Sequence, residues 1–270
     1  MPGSFLDTTV VISIAEDIEP SKTNCNNFIS SNQPSEIPYY AIQELLAGRI
    51  RVYCETHNVV LASTNAGEAL SALTARNPIE GRKRVARLQI LAEMMEKIFR
   101  TNPAGSRDSM KRELLQEIAL KAANVWRKAK LIRSSTFVQP LGCLNEGKLT
   151  RGAANELRGP KDSFNCLKNE RCAAAAYIYD DKIALDKLID ALHPDNLPPE
   201  LATKTETQSR KKALKMLARD GANKFNKNYC RALGDAYFAA LCPAGRDVVT
   251  TNVVDFEPLC RALGKKVSTP

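Results

Sequence analysis

The N-terminal segment of the chain carries one carboxylate inside an apolar run. Residues 4–12 read Ser-Phe-Leu-Asp-Thr-Thr-Val-Val-Ile, so bulky and β-branched side chains lie on both sides of Asp7. Such a run predicts a short strand that is buried on both faces, as in a parallel sheet. An ionised carboxylate there is unfavourable unless it is paired or bound to a cation. The simpler interpretation is that Asp7 ends the strand and caps the next turn with its side chain.

The rest of the sequence predicts helices joined by short β-prone runs. Apolar residues recur at helical spacing over long segments, whereas the β-prone runs span only a few residues. Pro38 and Gly48 suit the start and the end of one helix. The predicted elements are a loop over 24–38, a helix over 39–47, short strands at 50–53 and 59–62, a helix over 82–100, a helix capped by Ser106 and ending near Lys130, a helical region that ends near Leu192 and includes Ile183 in its apolar stripe, helices over 205–219 and 228–241, a strand over 247–250, and a helix over 257–263 ended by Gly264.

Size and cysteine usage limit the class of protein. The 270 residues, of which 44% are hydrophobic and 26% charged, can bury a large core in one domain or in a domain with an insertion. No stretch approaches the roughly 20 apolar residues of a membrane-spanning helix. Eight scattered cysteines and two histidines, without a C-x-x-C pair, argue against a zinc site and a disulfide framework. We therefore expect reduced thiols, a cytoplasmic location and no membrane partner.

The net charge of +9 favours acidic partners, and nucleic acid is the first of these. Residues 82–133 contain 14 Lys and Arg against 5 Asp and Glu. A second basic run lies within the predicted helix 205–219. The alternative for each single residue is a solvated helix face, but two concentrated clusters favour a surface that binds phosphates. The candidates for contact with an RNA backbone are Arg210, Lys211, Lys212 and Lys215.

Four further polar residues accompany Asp7 as site candidates. Glu44 lies on the predicted helix 39–47 with mostly small neighbours one turn away, and Asp235 lies on a helix face of small residues. Asn252 and Asp255 follow the predicted strand 247–250. Ligands of open α/β sheets bind beyond the carboxyl ends of the strands, so Asp7 and Asn252 would both lie where a ligand binds. An exposed surface position is the alternative for Glu44.

These segments resemble the PIN-domain ribonucleases, especially the VapC-type toxins of bacterial toxin–antitoxin pairs. Residues 6–10 look like the first strand of that family with its leading Asp, and residues 38–48 are similar to its Pro…Glu-Leu…Gly helix. Asp235 with its alanines looks like the third acidic motif, and residues 250–256 resemble the closing Thr-x-Asp/Asn…Phe motif. Glu44 and Asp235 are much farther apart in sequence than in a compact PIN domain. Asn252 also stands where many members carry Asp.

The resemblance implies an α/β fold of three layers, in which helices flank a central, mostly parallel sheet. Residues 1–64 and 225–270 would form this discontinuous catalytic core, and residues 65–224 would form a large helical insertion. The implied activity is metal-dependent hydrolysis of RNA phosphodiester bonds. RNA would be the substrate, an antitoxin protein would be a partner if the chain is a toxin, and homodimers are common among such proteins.

Clustered carboxylates suit this chemistry because they repel one another unless a cation neutralises them. Mg²⁺ or Mn²⁺ prefers such oxygen ligands and keeps waters that phosphate oxygens can replace. The resemblance makes Asp7 and Asp235 direct ligands and Glu44 a ligand directly or through water. Either Asn252 or Asp255 would orient the attacking water or complete the site.

Two other functions compete with the nuclease. A haloacid-dehalogenase-like phosphatase also uses a strand-end Asp and a Gly-Asp pair, but this chain has Thr9 and Ala239 where that family usually has acidic residues. The second competing function is that of a PIN-like or helical protein that binds nucleic acid or a partner without cutting it. Convergence of Asp7, Glu44 and Asp235 on one cavity would favour the nuclease.

Overall fold

The computed structural model describes residues 3–75, 81–103, 105–132, 137–138, 148–159, 171–224 and 227–270. The chain forms two compact units. The first unit consists of Met1–Gln43, Leu131–Asn145 and Phe164–Pro270, and the second of Glu44–Lys130 and Glu146–Ser163. The helices of residues 171–224 thus belong to the same unit as both chain ends, whereas the sequence-based boundaries assigned them to the insertion.

The first unit is an α/β structure built on one parallel sheet. Its strands are β1 (Gly3–Leu6), β2 (Ser35–Pro38), β3 (Phe137–Val138), β6 (Arg246–Val249) and β7 (Lys266–Ser268), and all their pairings are parallel. The strand order within the described residues is β3-β2-β1-β6-β7. This sheet agrees with the predicted α/β class. The strand predicted over 247–250 is confirmed within one residue, whereas β2 and β7 had not been predicted.

Helices connect these strands. They are α1 (Thr8–Ala15), α2 (Ser21–Ser31), α8 (Ala173–Asp180), α9 (Lys182–Ala191), α10 (Pro199–Ala202), α11 (Thr205–Asp220), α12 (Lys227–Ala232), α13 (Gly234–Leu241) and α14 (Val253–Ala262), with 3₁₀ turns at Pro194–Asn196 and Ala222–Lys224. The helix predicted over 205–219 is confirmed as α11. Gly264 follows α14 with a φ of 68°, a left-handed conformation that glycine adopts without strain.

Three sequence predictions in this unit are wrong. The run Val10-Val11-Ile12 is helical rather than part of the first strand, because Asp7 caps a helix that begins at Thr8. Residues 24–38 contain most of α2 and all of β2 instead of a loop. Ile183 does not join an apolar stripe, since 70% of it is exposed. A short apolar run is compatible with either a strand or a helix, and only the cap and the packing decide between them.

The second unit begins at Glu44, near the end of helix α3 (Tyr39–Leu45), and is mainly helical. The helix α3 continues through a π-helical turn (Leu46–Ile50) into α4 (Arg51–Ala62), so Gly48 does not end it and the predicted strands at 50–53 and 59–62 are wrong. Val52, Thr56 and Val60 are buried at four-residue spacing, which is the pattern of a helix rather than of a hairpin. The remaining elements are α5 (Ala66–Thr74), α6 (Gly81–Thr101), α7 (Arg107–Ile132) and the hairpin of β4 (Thr150–Arg151) with β5 (Leu157–Arg158).

The long helices of this unit are confirmed. The stripe of apolar residues over 82–100 forms α6, and the Ser106 hydroxyl accepts a hydrogen bond from the backbone N–H of Ser109 at the start of α7. Residues 134–152, which include Pro140 and Gly142, predict an irregular region by their sequence. Much of that region lies outside the described residues, and its described part contains β3 and β4. No helix in the described part of the chain is long and apolar enough to cross a membrane.

Candidate nucleic-acid-processing site

The sheet of the first unit has a point where its strand order reverses. The chain passes from β1 to β2 on one side, and β6 pairs with the other side of β1. In open parallel sheets such a switch point opens a crevice at the carboxyl ends of the strands, and ligands bind there. Leu6 is in register with Val249, so the next residues, Asp7 and Thr250, leave the two strands side by side.

Asp7 is held at this crevice by its neighbours. Its backbone N–H donates to the Val249 carbonyl at 2.9 Å, which extends the pairing of β1 with β6 by one residue. Its Oδ2 accepts hydrogen bonds from the hydroxyls of Thr9 and Thr250, both at 2.8 Å. Only 5% of Asp7 is exposed. Both sequence interpretations of Asp7 therefore describe it in part, because it is a buried strand-end carboxylate and also the N-cap of α1.

The turn after β6 brings two more candidates to the same place. The backbone N–H of Asn252 donates to the Thr250 hydroxyl at 2.9 Å. The Asn252 side-chain amide in turn donates to Oδ2 of Asp255 at 2.8 Å. Asn252 therefore orients Asp255, and this network joins Asp255 to Thr250 and so to Asp7.

Aromatic packing positions the helices that carry the acidic residues. The ring of Phe238 on α13 lies 4.9 Å from that of Phe5 on β1 and 5.6 Å from that of Phe256 on α14. All three rings are buried. Asp235 lies in the first turn of α13, one turn before Phe238, and Asp255 directly precedes Phe256. The apolar core of the unit thus fixes the positions of both carboxylates.

Two cationic side chains contact these carboxylates. Lys204, at the N-cap of α11, donates from Nζ to both oxygens of Asp255, at 2.8 and 2.7 Å. Arg210, one and a half turns into α11, donates to Asp235. Arg210 is only 5% exposed, and its Nε has no partner among the described residues. The start of α11 therefore supplies positive charge to the acidic residues of the site.

The carboxylates of the site interact electrostatically. Burial raises the pKa of Asp7 to about 6, the hydroxyl of Thr250 opposes that shift, and the negative charge of Asp235 adds to it. Burial also raises the pKa of Asp235, although Arg210 opposes that shift. Burial alone would raise the pKa of Asp255, but the hydrogen bonds from Lys204 and Asn252 outweigh it and lower the pKa. Asp7 and Asp235 thus lie close enough for their charges to interact.

The donor set suits a divalent cation only in part. Buried carboxylates whose charges repel each other are the ligands that Mg²⁺ and Mn²⁺ prefer. Asp7 has no ion-pair partner within the described residues, so added positive charge would stabilise it. Asp235 and Asp255, in contrast, already bind Arg210 and Lys204. No group of three or more His, Cys, Asp and Glu in the described part of the chain is arranged to hold a metal ion.

Glu44 is the one acidic candidate outside the first unit. It lies near the end of α3, is half-buried, and is the first residue of the second unit. The structure therefore brings Asp7, Asp235, Asn252 and Asp255 together within one unit. The predicted role of Glu44 as a metal ligand stays a prediction.

The basic candidates divide into two groups. Arg210 is buried against Asp235, so it does not belong to the exposed surface on which it was predicted to contact RNA. Lys212 and Lys215 are exposed on α11, and Lys211 is half-buried beside them. These three lysines line a shallow groove together with Gln208, Met216 and Arg219.

The sequence analysis did not assign Thr9, Thr250 or Lys204 to the site. A threonine two residues after a capping Asp was an available signal for Thr9, because hydroxyls at helix starts bond locally. Thr250 belonged to a quoted motif but had no assigned role. Nothing in the sequence near Lys204 indicated its contact with Asp255, which is 51 residues away.

Comparisons with protein families, with curated proteins and with solved structures find no match for this chain.

Proposed function

We propose that the protein is a metal-dependent endoribonuclease that hydrolyses RNA phosphodiester bonds at the carboxyl ends of β1 and β6. The observation that carries this proposal is the placement of the buried carboxylate of Asp7 and the half-buried carboxylate of Asp235, whose charges act on each other at the switch point of the sheet. Carboxylates whose pKa values are perturbed by burial and by a specific neighbouring charge are typical of functional sites. The resemblance to PIN domains in the sequence supports the same activity.

In this proposal Asp7 and Asp235 would hold a Mg²⁺ or Mn²⁺ ion. The bound ion supplies an activated water and stabilises the charge that develops on the phosphate. The hydroxyls of Thr9 and Thr250 keep the carboxylate of Asp7 in one orientation. Asn252 does the same for Asp255.

Lys204 has a second role in this proposal. It neutralises Asp255 in the protein without substrate, and its partly exposed ammonium group is suited to phosphate oxygens, whereas Arg210 is buried against Asp235. The exposed Lys212 and Lys215 lie farther along the same helix, so α11 supplies positive charge from the site outward. Contacts of this kind attract the backbone of RNA and do not select its sequence.

Cleavage of RNA by matched variants tests the proposal. Wild type should cleave single-stranded RNA with Mg²⁺ or Mn²⁺ and should stop when a chelator is added. Asp7→Asn and Asp235→Asn should each lower the rate by at least about a hundredfold, as is usual when a group that organises the transition state is lost. Asp186→Asn, at an exposed position on α9, is the control and should cleave like wild type. Equal cleavage by all four proteins, or cleavage that survives chelation, would reject the nuclease.

One observation favours a second function, which is binding of RNA without cleavage. The ion pairs of Asp235 with Arg210 and of Asp255 with Lys204 satisfy the carboxylates without a metal ion. A protein of this kind would bind RNA equally well with chelator and with Mg²⁺, and no concentration of either metal would produce cleavage. Binding measured by fluorescence anisotropy, in parallel with the cleavage assay, separates the two functions.

The toxin role and the homodimer remain parts of the proposal with tests of their own. A ribonuclease toxin should arrest growth when it is expressed, and the Asp7→Asn variant should not. An antitoxin would then be recovered as a small protein that restores growth and inhibits cleavage in the assay above. The mass of the purified protein, measured by light scattering, tests for the homodimer.

A further inference from the structure

A cleft in the first unit lies at the opposite end of the sheet from the acidic residues described above. Its lining comes from α8, α9, the end of α13 and the turn after α14, and its volume is about 510 Å³. Lys265, which lines it, directly precedes β7 and so lies at the amino ends of the parallel strands. Asp7 and Thr250, in contrast, follow the carboxyl ends of β1 and β6. The cleft is therefore separate from the candidate site, and its size is that of a small-molecule site.

Apolar and aromatic side chains form one part of this cleft. Ile183 on α9 is 70% exposed, and Tyr177 on α8 is 37% exposed. Leu263, after α14, also lines the cleft and is half-buried. A single exposed apolar residue is ordinary at a protein surface. Three such side chains around one cleft, however, gain by being covered with an apolar group of a ligand.

Two lysines supply positive charge to the cleft. The Nζ atom of Lys265 donates hydrogen bonds to the carbonyls of Ala239 and Ala240 at the end of α13, at 2.8 and 2.7 Å. These bonds use two of the three protons of the ammonium group. Burial lowers the pKa of Lys265, because its charge is partly removed from water. Lys187 is exposed on the same face of α9 as Ile183. Both lysines can therefore contact an anionic group.

A carboxylate of the cleft supplies negative charge. Asp181 is the N-cap of α9, and its Oδ1 accepts a hydrogen bond from the backbone N–H of Ala184 at 2.9 Å. This bond uses one of its two carboxylate oxygens. The neighbouring Asp180, which also lines the cleft, is paired with Arg171. Asp181 is thus the carboxylate with an oxygen available to a cationic group.

We propose that this cleft binds a zwitterionic amino acid with a large apolar or aromatic side chain. The ammonium group of the ligand contacts Asp181, and its carboxylate contacts Lys187 and Lys265. Its side chain covers Tyr177 and Ile183. A purely anionic ligand meets the charge of the aspartate and a purely cationic ligand meets the charges of the lysines, whereas a zwitterion pairs with both. This binding site does not depend on the proposed nuclease.

Binding of L-phenylalanine to the full chain, measured by titration calorimetry, tests the proposal. Phenylpropionate lacks the ammonium group and phenylethylamine lacks the carboxylate, so each analogue keeps the ring and loses one charged contact. L-Phenylalanine should bind at least about tenfold more tightly than either analogue, because hydrogen bonds between charged groups are the stronger ones. Equal or tighter binding of either analogue would overturn the proposal, and so would the absence of saturable binding of L-phenylalanine, L-leucine and L-tryptophan at millimolar concentration.

Matched variants locate the bound molecule. Asp181→Asn keeps a residue that caps helices well, so α9 should stay folded. It should weaken binding of L-phenylalanine by about tenfold without weakening that of phenylpropionate. Lys187→Met should weaken binding of both of these compounds but not that of phenylethylamine. Asp186→Asn, at an exposed position of α9 outside the lining of the cleft, is the control and should bind like wild type. Unchanged affinity for L-phenylalanine in the first two variants would refute the assignment.

Isoleucine methyl groups give a readout that needs no variant. In protein labelled at these methyl groups, L-phenylalanine should shift the NMR signal of Ile183, because the aromatic ring of the ligand covers that side chain. Ile37, which is buried on β2, is the internal control and should not shift. A saturable shift elsewhere without one at Ile183 would contradict the proposal. Failure of the RNA cleavage assay would leave this result unchanged, since the cleft and the acidic residues lie at opposite ends of the sheet.

Discussion

The Nζ atom of Lys204 lies 2.8 and 2.7 Å from the two carboxylate oxygens of Asp255. This ammonium group is about one-third exposed, whereas the side chain of Asp255 is almost fully buried. The positively charged side chain of Lys204 thus lies beside the acidic residues that would bind a metal ion in the proposed nuclease. Its positive charge repels a second cation, so it should weaken metal binding.

We therefore expect Lys204→Met to strengthen the binding of Mn²⁺. Removal of one positive charge next to the carboxylates should raise the affinity by about tenfold, equivalent to about 1.4 kcal/mol. Titration calorimetry or Mn²⁺ electron paramagnetic resonance measures the change. Lys212→Met, which removes an exposed charge from the same helix, is the control and should change the affinity much less. Unchanged or weaker binding in Lys204→Met would argue against a metal beside Asp255.

Asp7→Asn should stabilise the metal-free protein at neutral pH. Burial raises the folded-state pKa of Asp7 to about 6 from its ordinary value of 3.8. Between these values the folded protein retains a proton that the unfolded chain has lost, so stability falls as the pH rises from about 4 to about 6. Above pH 6 the ionised carboxylate costs up to about 3 kcal/mol. Asparagine removes this cost and can still accept the hydrogen bonds from Thr9 and Thr250.

Denaturant unfolding with chelator at pH 4.5 and pH 7.5 measures this effect. Wild type should lose stability between the two values relative to Asp7→Asn, and the variant should be the more stable protein at the higher pH. Asp186→Asn, at an exposed position, should follow wild type at both. A variant that is less stable than wild type at pH 7.5 would show that the Asp7 carboxylate stabilises the fold.

Asp235→Asn should have the opposite effect on stability. It leaves the buried guanidinium of Arg210 without its carboxylate partner, which should cost about 3 kcal/mol. Asp255 reduces this loss, because its charge also interacts with Arg210. The free energy of unfolding at pH 7.5, with chelator present, gives the value.

A second substitution tests the reason for that loss. Arg210→Met in the Asp235→Asn background removes the unpaired charge and fills a similar volume, so it should recover most of the lost stability. Asp220→Asn is the matched control, because its partner Arg219 is exposed on the same helix and solvent screens the pair, so its loss should change stability little. A double variant that is no more stable than Asp235→Asn would contradict this account.

Exposed lysines on α11 should determine the salt dependence of RNA binding. Replacement of Lys212 and Lys215 by Gln should weaken binding to all single-stranded sequences alike. The slope of log affinity against log salt should become shallower by about 1.4 if each lysine contacts one phosphate. Anisotropy titrations over a range of salt concentrations measure this slope. Lys266→Gln, at an exposed position on the edge strand β7, is the control and should leave the slope unchanged. An unchanged slope in the Lys212 and Lys215 double variant would mean that RNA binds elsewhere on the protein.

Local sequence patterns predict the long elements of this fold. The apolar stripes of α6, α7 and α11 repeat at helical spacing over several turns, and the β-branched run of β6 is bounded by turn residues. Short runs are predicted less well, because three or four apolar residues suit either structure. The run after Asp7 becomes a helix since Asp7 caps it, and the run at 50–53 continues a helix that begins at Tyr39.

For the candidate site, the sequence alone is sufficient to select Asp7, Asp235 and the segment 250–255, because carboxylates next to buried strands and on small-residue helix faces are unusual. The partners of these carboxylates follow only from the folded chain. Lys204 reaches Asp255 across 51 residues and Arg210 reaches Asp235 across 25. Contacts of this kind depend on how the helices pack against one another, and side-chain periodicity within a single helix or strand carries no information about them.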